Sequence, residues 1–142
     1  MTEAASVSAV ELELSHAESA FQAALLLRDA ALYNDALNRL YYALFHTVSA
    51  LLLTAGIEPR RHRALPGLLG THFGASLGPG ELATVARAAT WRDLADYERT
   101  WHADQAVVGG AFAEIEPLLT RVRELIRVAP SSPSEPQRDA EG

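Results

Sequence analysis

Apolar residues recur at steps of three and four along most of the chain, and few segments alternate as strands do. The pattern predicts an all-α protein. A first helix is expected over 8–28, with Leu12, Leu14, Phe21, Leu25 and Leu26 on or near its buried side. A second is expected over 34–55, where Gly56 stands in the position that suits a left-handed residue after a helix. The loop GIEPRRHRALPG follows, its two prolines framing a basic cluster. A short third helix is expected over 65–73, SLGPGE reads as a turn, and a fourth helix is expected over 81–99, with a break near Tyr97. The fifth is expected over 103–128 despite Gly109, Gly110 and Pro117, residues that argue against a straight helix.

From Ala129 the chain reads APSSPSEPQRDAEG, with three prolines, three serines and no large apolar residue. Such a segment cannot bury enough surface to offset its ordering entropy, so 1–128 is expected to be the folded domain and 129–142 a disordered tail. A length of 142 residues suits one domain with one core. No stretch approaches the roughly 20 apolar residues of a membrane span. The start, MTEAASVSAVELE, carries acids where a secretory signal would carry basic residues, and a cytoplasmic protein is expected.

The absence of cysteine rules out disulfides, thiolate zinc sites and cysteine nucleophiles. A net charge of −6 argues against a general nucleic-acid binder, though not against a local basic patch. All twelve basic residues are arginine, and all but Arg28 and Arg138 fall between Arg39 and Arg127. His16 and His102 have no partner at metal-ligand spacing, so neither a metal nor a cofactor is expected. Trp91 and Trp101 are read as packing residues.

The second helix contains RLYYALFH, residues 39–46. Seven residues advance a helix by roughly 700°, so Arg39 and His46 share one face, about 10 Å apart along the axis, with Tyr42 and Ala43 between them. Leu37, Leu40, Leu44, Val48, Leu51 and Leu52 occupy the rest of the circumference, and a helix so apolar must be largely buried. Spacing alone favours a structural role for the pair, since a buried arginine needs a partner and an inward histidine is satisfied by one acceptor.

The run YNDALNRLYYALFHTVSALLLTAGIEPRRHRALPGLLGTHF, residues 33–73, together with RDLADY, 92–97, resembles the HEPN superfamily, in particular its small stand-alone bacterial and archaeal members whose second helix reads R-x-Y-Y-A-x-F-H. The resemblance implies an up-and-down bundle of four to five helices, often a homodimer, with the arginine and histidine of each subunit meeting across the interface. It also implies, for many members, metal-independent endoribonuclease activity and a role as toxin beside a nucleotidyltransferase antitoxin. Arg39 and His46, with six residues between them, match the long form of the family's arginine–histidine motif. Leu40 replaces a residue that is commonly polar in nuclease members, and Val48 replaces a tyrosine that some antitoxins modify, leaving Tyr41, Tyr42 or Tyr97 as substitutes.

Cleavage of RNA without metal needs a proton acceptor, a proton donor and a cation for the phosphorane. His46 suits proton transfer near neutral pH, and the Arg39 fork suits a phosphate. A two-fold dimer supplies two of each, which is a physical reason for an interfacial site. Tyr42 and the basic cluster Arg60, Arg61, His62 and Arg63 are the candidate substrate contacts, although charge clusters between helices are ordinary solvated loops. His72 is a weaker candidate of the same kind. In the family's Ala-Asp-Tyr element the acid lies near the second helix, so Asp96 is expected to pair with Arg39, with Tyr97 packed beside it. Three functions follow: a dimeric endoribonuclease toxin, a non-catalytic module that engages a nucleotidyltransferase or a nucleotide through Arg60–Arg63, and an assembly protein in which Arg39 and His46 serve only the interface.

Overall fold

A helix as apolar as residues 34–55 has to be largely enclosed, and in the computed structural model it is, apart from one stripe. The structure describes residues 2–58 and 62–129. Among them α1 spans Thr2–Asp29, α2 Tyr33–Thr54, α3 Leu65–Phe73, α4 Pro79–Tyr97 and α5 Gln105–Val128, with a single 3-10 turn at His62–Ala64. The helix α2 packs against α1, α3, α4 and α5. The architecture is an all-α bundle built around that one helix, and Leu40, Leu44, Val48, Leu51 and Leu52 are completely buried in its core. Fully burying each such side chain contributes roughly 1.5–3 kcal/mol. The residues expected to form the tail lie, from Pro130 onward, outside the described residues, as do Arg60 and Arg61.

Local chemistry sets the ends of the helices. After α2, Gly56 adopts φ 77°. Its N–H donates to Leu53 O at 2.9 Å while that of Ile57 reaches Leu52 O at 3.0 Å, the paired closure that a left-handed residue permits. The turn between α1 and α2 uses Ala31 at φ 63°, a conformation an L-residue adopts only at some cost. Helix α4 begins two residues earlier than expected, because Pro79 suits the first turn. Glu81 Oε1 accepts from Gly78 N–H at 2.9 Å, forming the half of a capping box that a glycine allows. Helix α4 ends at Tyr97, the position of the expected break, rather than at 99. Asp104 caps α5, its Oδ1 accepting from Val107 N–H at 2.9 Å.

One expectation is overturned, and another holds. Of the five apolar residues placed on the buried side of α1, Leu12 and Leu26 are 58% and 72% exposed, because at about 100° per residue they point away from the face on which Ala17, Ala20 and Ala24 are buried. Helix α5 runs unbroken through Gly109, Gly110 and Pro117; all three lie on its exposed side, so the buried face is left to Val108, Ala111, Phe112 and Ile115. The stretch from α4 to α5 is held by Asn34 of α2. Its Nδ2 donates to Ala95 O at 3.4 Å and Trp101 O at 3.2 Å, and its Oδ1 accepts from Ala103 N–H at 2.8 Å. Trp91 and Trp101 pack against the core.

Candidate functional site

The positions of α2 that escape full burial in its middle turns are Asn38, Arg39, Tyr42, Phe45 and His46. Their spacing of one, three and four places them in one stripe. Helix α1 borders it on one side through Glu13 and His16, and α4 on the other through Arg92 and Asp96. The stripe brings Arg39 and His46 onto one half-buried surface, with Tyr42 between them. The Arg39 guanidinium carbon lies 4.9 Å from the Tyr42 ring centroid, and the Tyr42 and His46 rings are 6.3 Å apart.

His46 is braced from α1. Its Nδ1 lies 2.6 Å from Glu13 Oε1, and the His16 ring lies 5.3 Å from its own. A carboxylate at Nδ1 selects the tautomer with the proton on that nitrogen and leaves Nε2 as the acceptor. Phe45 packs edge-on at 5.4 Å and limits rotation of the imidazole.

Arg39 is held differently. Its Nε donates to Asn38 Oδ1 at 3.0 Å, and Asn38 Nδ2 donates in turn to Asp96 Oδ2 at 2.8 Å. The expected direct pair between Asp96 and Arg39 is replaced by this amide bridge. The Asp96 carboxylate turns instead to Arg92, whose Nε lies 3.2 Å from the same Oδ2. That approach is too oblique for a hydrogen bond and is an ion pair only. The spacing of four within α4 brings Asp96 and Arg92 together along their own helix.

Arg92 closes the circuit. Its Nη2 donates to Tyr42 Oη at 3.1 Å, so Tyr42 carries one guanidinium on its hydroxyl and another at its ring. The guanidinium carbon of Arg92 also lies 5.7 Å from the Tyr41 ring and 5.4 Å from that of Tyr97. Burial alone would lower the Arg92 pKa, but Tyr42, Tyr97 and Asp96 outweigh it and raise it, so the cation persists. Tyr41, behind the stripe, is almost wholly buried. Burial, opposed by Arg92 and reinforced by Tyr42 and Asp93, pushes its hydroxyl up to about 12.

Tyr97 is 66% exposed rather than packed. With Tyr41, Arg63, Arg92, Asp93 and Glu98 it lines an open groove of about 780 Å³ on the α4 side of the stripe. Of the basic cluster, Arg63 reaches this groove; His62 is described by its backbone alone. No group of three or more histidine, aspartate and glutamate side chains among the described residues is placed to hold a metal, and no helix there is long and apolar enough to cross a membrane.

Glu13, His16, Asn38 and Arg92 were not legible as site residues from spacing within α2. Arg92 and Asp96 carried one signal, an opposite-charge pair four apart. Glu13 carried none, because its role depends on how α1 lies against α2.

A protein-family model described as HEPN domain matches residues 10–130. A UPF0332 protein of Pyrococcus horikoshii is 38% identical over 64 residues, 45% of this chain and 45% of the relative. Two proteins of Methanocaldococcus jannaschii, both provisionally named toxins, are also similar. One is 42% identical over 57 residues, 40% of this chain and 42% of its own. The other is 32% identical over 97 residues, 63% of this chain and 64% of its own. The chain thus spans less than two thirds of the length of these relatives.

Proposed function

The chain belongs to the HEPN family, and from that premise we propose that it is a metal-independent endoribonuclease, acting as a homodimer and as the toxin of a two-component module with a nucleotidyltransferase antitoxin. The observation that carries this reading is the unequal bracing of the pair on one open stripe. His46 has a carboxylate on Nδ1, which frees Nε2 for a proton. Arg39 has only a neutral amide oxygen and a ring, so its charge is left for an incoming anion. A half-buried guanidinium without a carboxylate of its own among the described residues is a phosphate site in chemical terms.

In the reaction, Nε2 of His46 removes the proton of a ribose 2′-OH, and the 2′-oxygen attacks the adjacent phosphorus. The phosphorane places its charge on the Arg39 fork. The bond from phosphorus to the 5′-oxygen breaks, and a protonated imidazole, His46 of the partner subunit, gives its proton to that leaving oxygen. The products are a 2′,3′-cyclic phosphate and a 5′-hydroxyl, with one proton taken up and one returned. A single chain has one such histidine on the stripe, and a two-fold dimer supplies the second. The toxin role draws on the relatives provisionally named toxins.

The test is growth on induction of the wild type beside Arg39→Ala and His46→Ala, with extracted RNA examined for cleavage. Arrest and cleavage with the wild type alone, while both variants accumulate folded, is the expected result. Intact RNA and unimpeded growth with the wild type would overturn it. The groove beside the stripe favours a second reading, a non-catalytic module that holds a nucleotide or a nucleotidyltransferase. Substitution of Arg60, Arg61, His62 and Arg63 would then abolish partner binding, whereas His46→Ala would not.

A further inference from the structure

We propose that the groove between α2 and α4 is a subsite for one unpaired guanine of single-stranded RNA, next to the Arg39–His46 pair. The inference rests on the proposed RNA substrate and adds to it the base that is recognised.

Size and charge narrow the ligand first. About 780 Å³ lies within the range of small-molecule clefts, ample for a nucleoside. The lining carries Arg63 and Arg92 against Asp93 and Glu98, so opposite charges balance and the groove is no general anion trap. A flat ligand that is neutral yet rich in both donors and acceptors fits it best.

The ring that would receive such a ligand is Tyr97. Arg92 lies 5.4 Å from its centroid, yet the residue remains 66% exposed, leaving ring surface open for stacking. Unpaired bases in RNA are held in this manner, on an aromatic ring or a guanidinium plane, with their edges read by polar groups. Among the bases, guanine alone offers two adjacent acceptors, O6 and N7, that suit an arginine fork, and two adjacent donors, N1–H and the 2-amino group, that suit a carboxylate. Arg63 and Asp93 or Glu98 supply both kinds of partner within this one groove. Adenine and uracil lack both halves of that match, and cytosine, whose O2 and N3 are adjacent acceptors, lacks the pair of adjacent donors.

The groove is also joined to the reactive stripe. Arg92 lines it and at the same time donates to Tyr42 Oη at 3.1 Å, while Tyr41 lines it and meets the Tyr42 ring at 5.4 Å. A base held there lies beside the ring that carries Arg39, so its neighbouring phosphate is directed toward Arg39.

The experiment uses 2′-O-methyl hexanucleotides, which cannot be cleaved because the 2′-oxygen is blocked. One contains a single guanine in a uridine background, and others carry adenine, cytosine or uracil at that position. Binding to the full chain is followed by fluorescence anisotropy. The expected result is about 10-fold tighter binding of the guanine oligonucleotide, a preference lost in the double variant Asp93→Asn, Glu98→Gln, while Tyr97→Ala weakens binding of all four, with circular dichroism unchanged. Equal binding of all four would overturn the subsite, as would a guanine preference that survives Asp93→Asn, Glu98→Gln or undiminished binding by Tyr97→Ala. Cleavage of unmodified RNA is measured separately. Cleavage without guanine preference overturns the subsite and leaves the nuclease reading intact; guanine-selective binding without cleavage supports the subsite and overturns the nuclease.

Discussion

The Nδ1 of His46 and a carboxylate oxygen of Glu13 are 2.6 Å apart, although 33 residues separate them in the chain. The contact joins α1 to the centre of α2 and determines which imidazole nitrogen faces the stripe. Glu13→Gln keeps the shape and removes the charge. On the proposed nuclease reading, cleavage of single-stranded RNA should fall, by less than the roughly 10²–10⁴-fold expected of His46→Ala, because only the orientation of the imidazole is lost. Nitrogen NMR of the imidazole should show a weakened preference for the Nδ1–H tautomer. Wild-type rates in Glu13→Gln would remove the carboxylate from the mechanism.

Asn38 is the second lever, since its amide oxygen is the acceptor for Arg39 Nε. Asn38→Asp would place an anion against that guanidinium and also beside Asp96. If Arg39 holds an RNA phosphate as proposed, RNA affinity should drop, and the slope of log affinity against log salt should flatten by about one, as when a phosphate contact disappears. An unchanged slope would mean that Arg39 does not meet a phosphate.

Stability should be most sensitive along α2. Leu44 is completely buried, and Leu44→Ala is expected to cost about 2–5 kcal/mol, read from denaturant unfolding at constant m-value. A loss below about 1 kcal/mol would contradict the central position of the helix.

Asn34 ties the stretch between α4 and α5 through contacts to Ala95, Trp101 and Ala103. Asn34→Ala leaves those backbone groups without their partner and should cost about 1–3 kcal/mol. Amide exchange should rise at residues 98–104 well before it rises in α2, which hydrogen–deuterium exchange would show.

Alkaline pH should unfold the protein partly through Tyr41. Its hydroxyl, ordinarily near 10, is held up at about 12 in the fold, chiefly by burial. Between those values the unfolded chain has released the proton and the folded chain retains it, so stability present below pH 10 is lost as pH rises toward 12. The shift corresponds to roughly 2–3 kcal/mol. Tyr41→Phe should flatten the decline in stability over that interval, and a variant that declines as steeply as the wild type would assign the transition elsewhere.

Periodicity and end signals are local properties, and they determined a great deal. The bounds of α3 are those expected, Gly56 takes the left-handed position, and the stripe of Arg39, Tyr42 and His46 follows from helical geometry alone. The helix ends differed where a cap extended or shortened a turn, as at Pro79 and Tyr97. Leu12 and Leu26 show the limit of a pattern read along one helix: an apolar residue points where the spacing puts it, whether or not a neighbour covers that side.

Tertiary structure alone decided which residues complete the stripe. Glu13 reaches His46 because of the axial offset between α1 and α2, and Asp96 reaches Asn38 rather than Arg39 because of the rotation of α4 about its axis. A shift of one residue in either helix turns its side chains by about 100° and would break that helix's contact with α2 without altering the hydrophobic pattern of the sequence. Local sequence determines which faces exist, whereas the packing of whole helices determines which faces meet; the bracing of His46 and Arg39 belongs to the second.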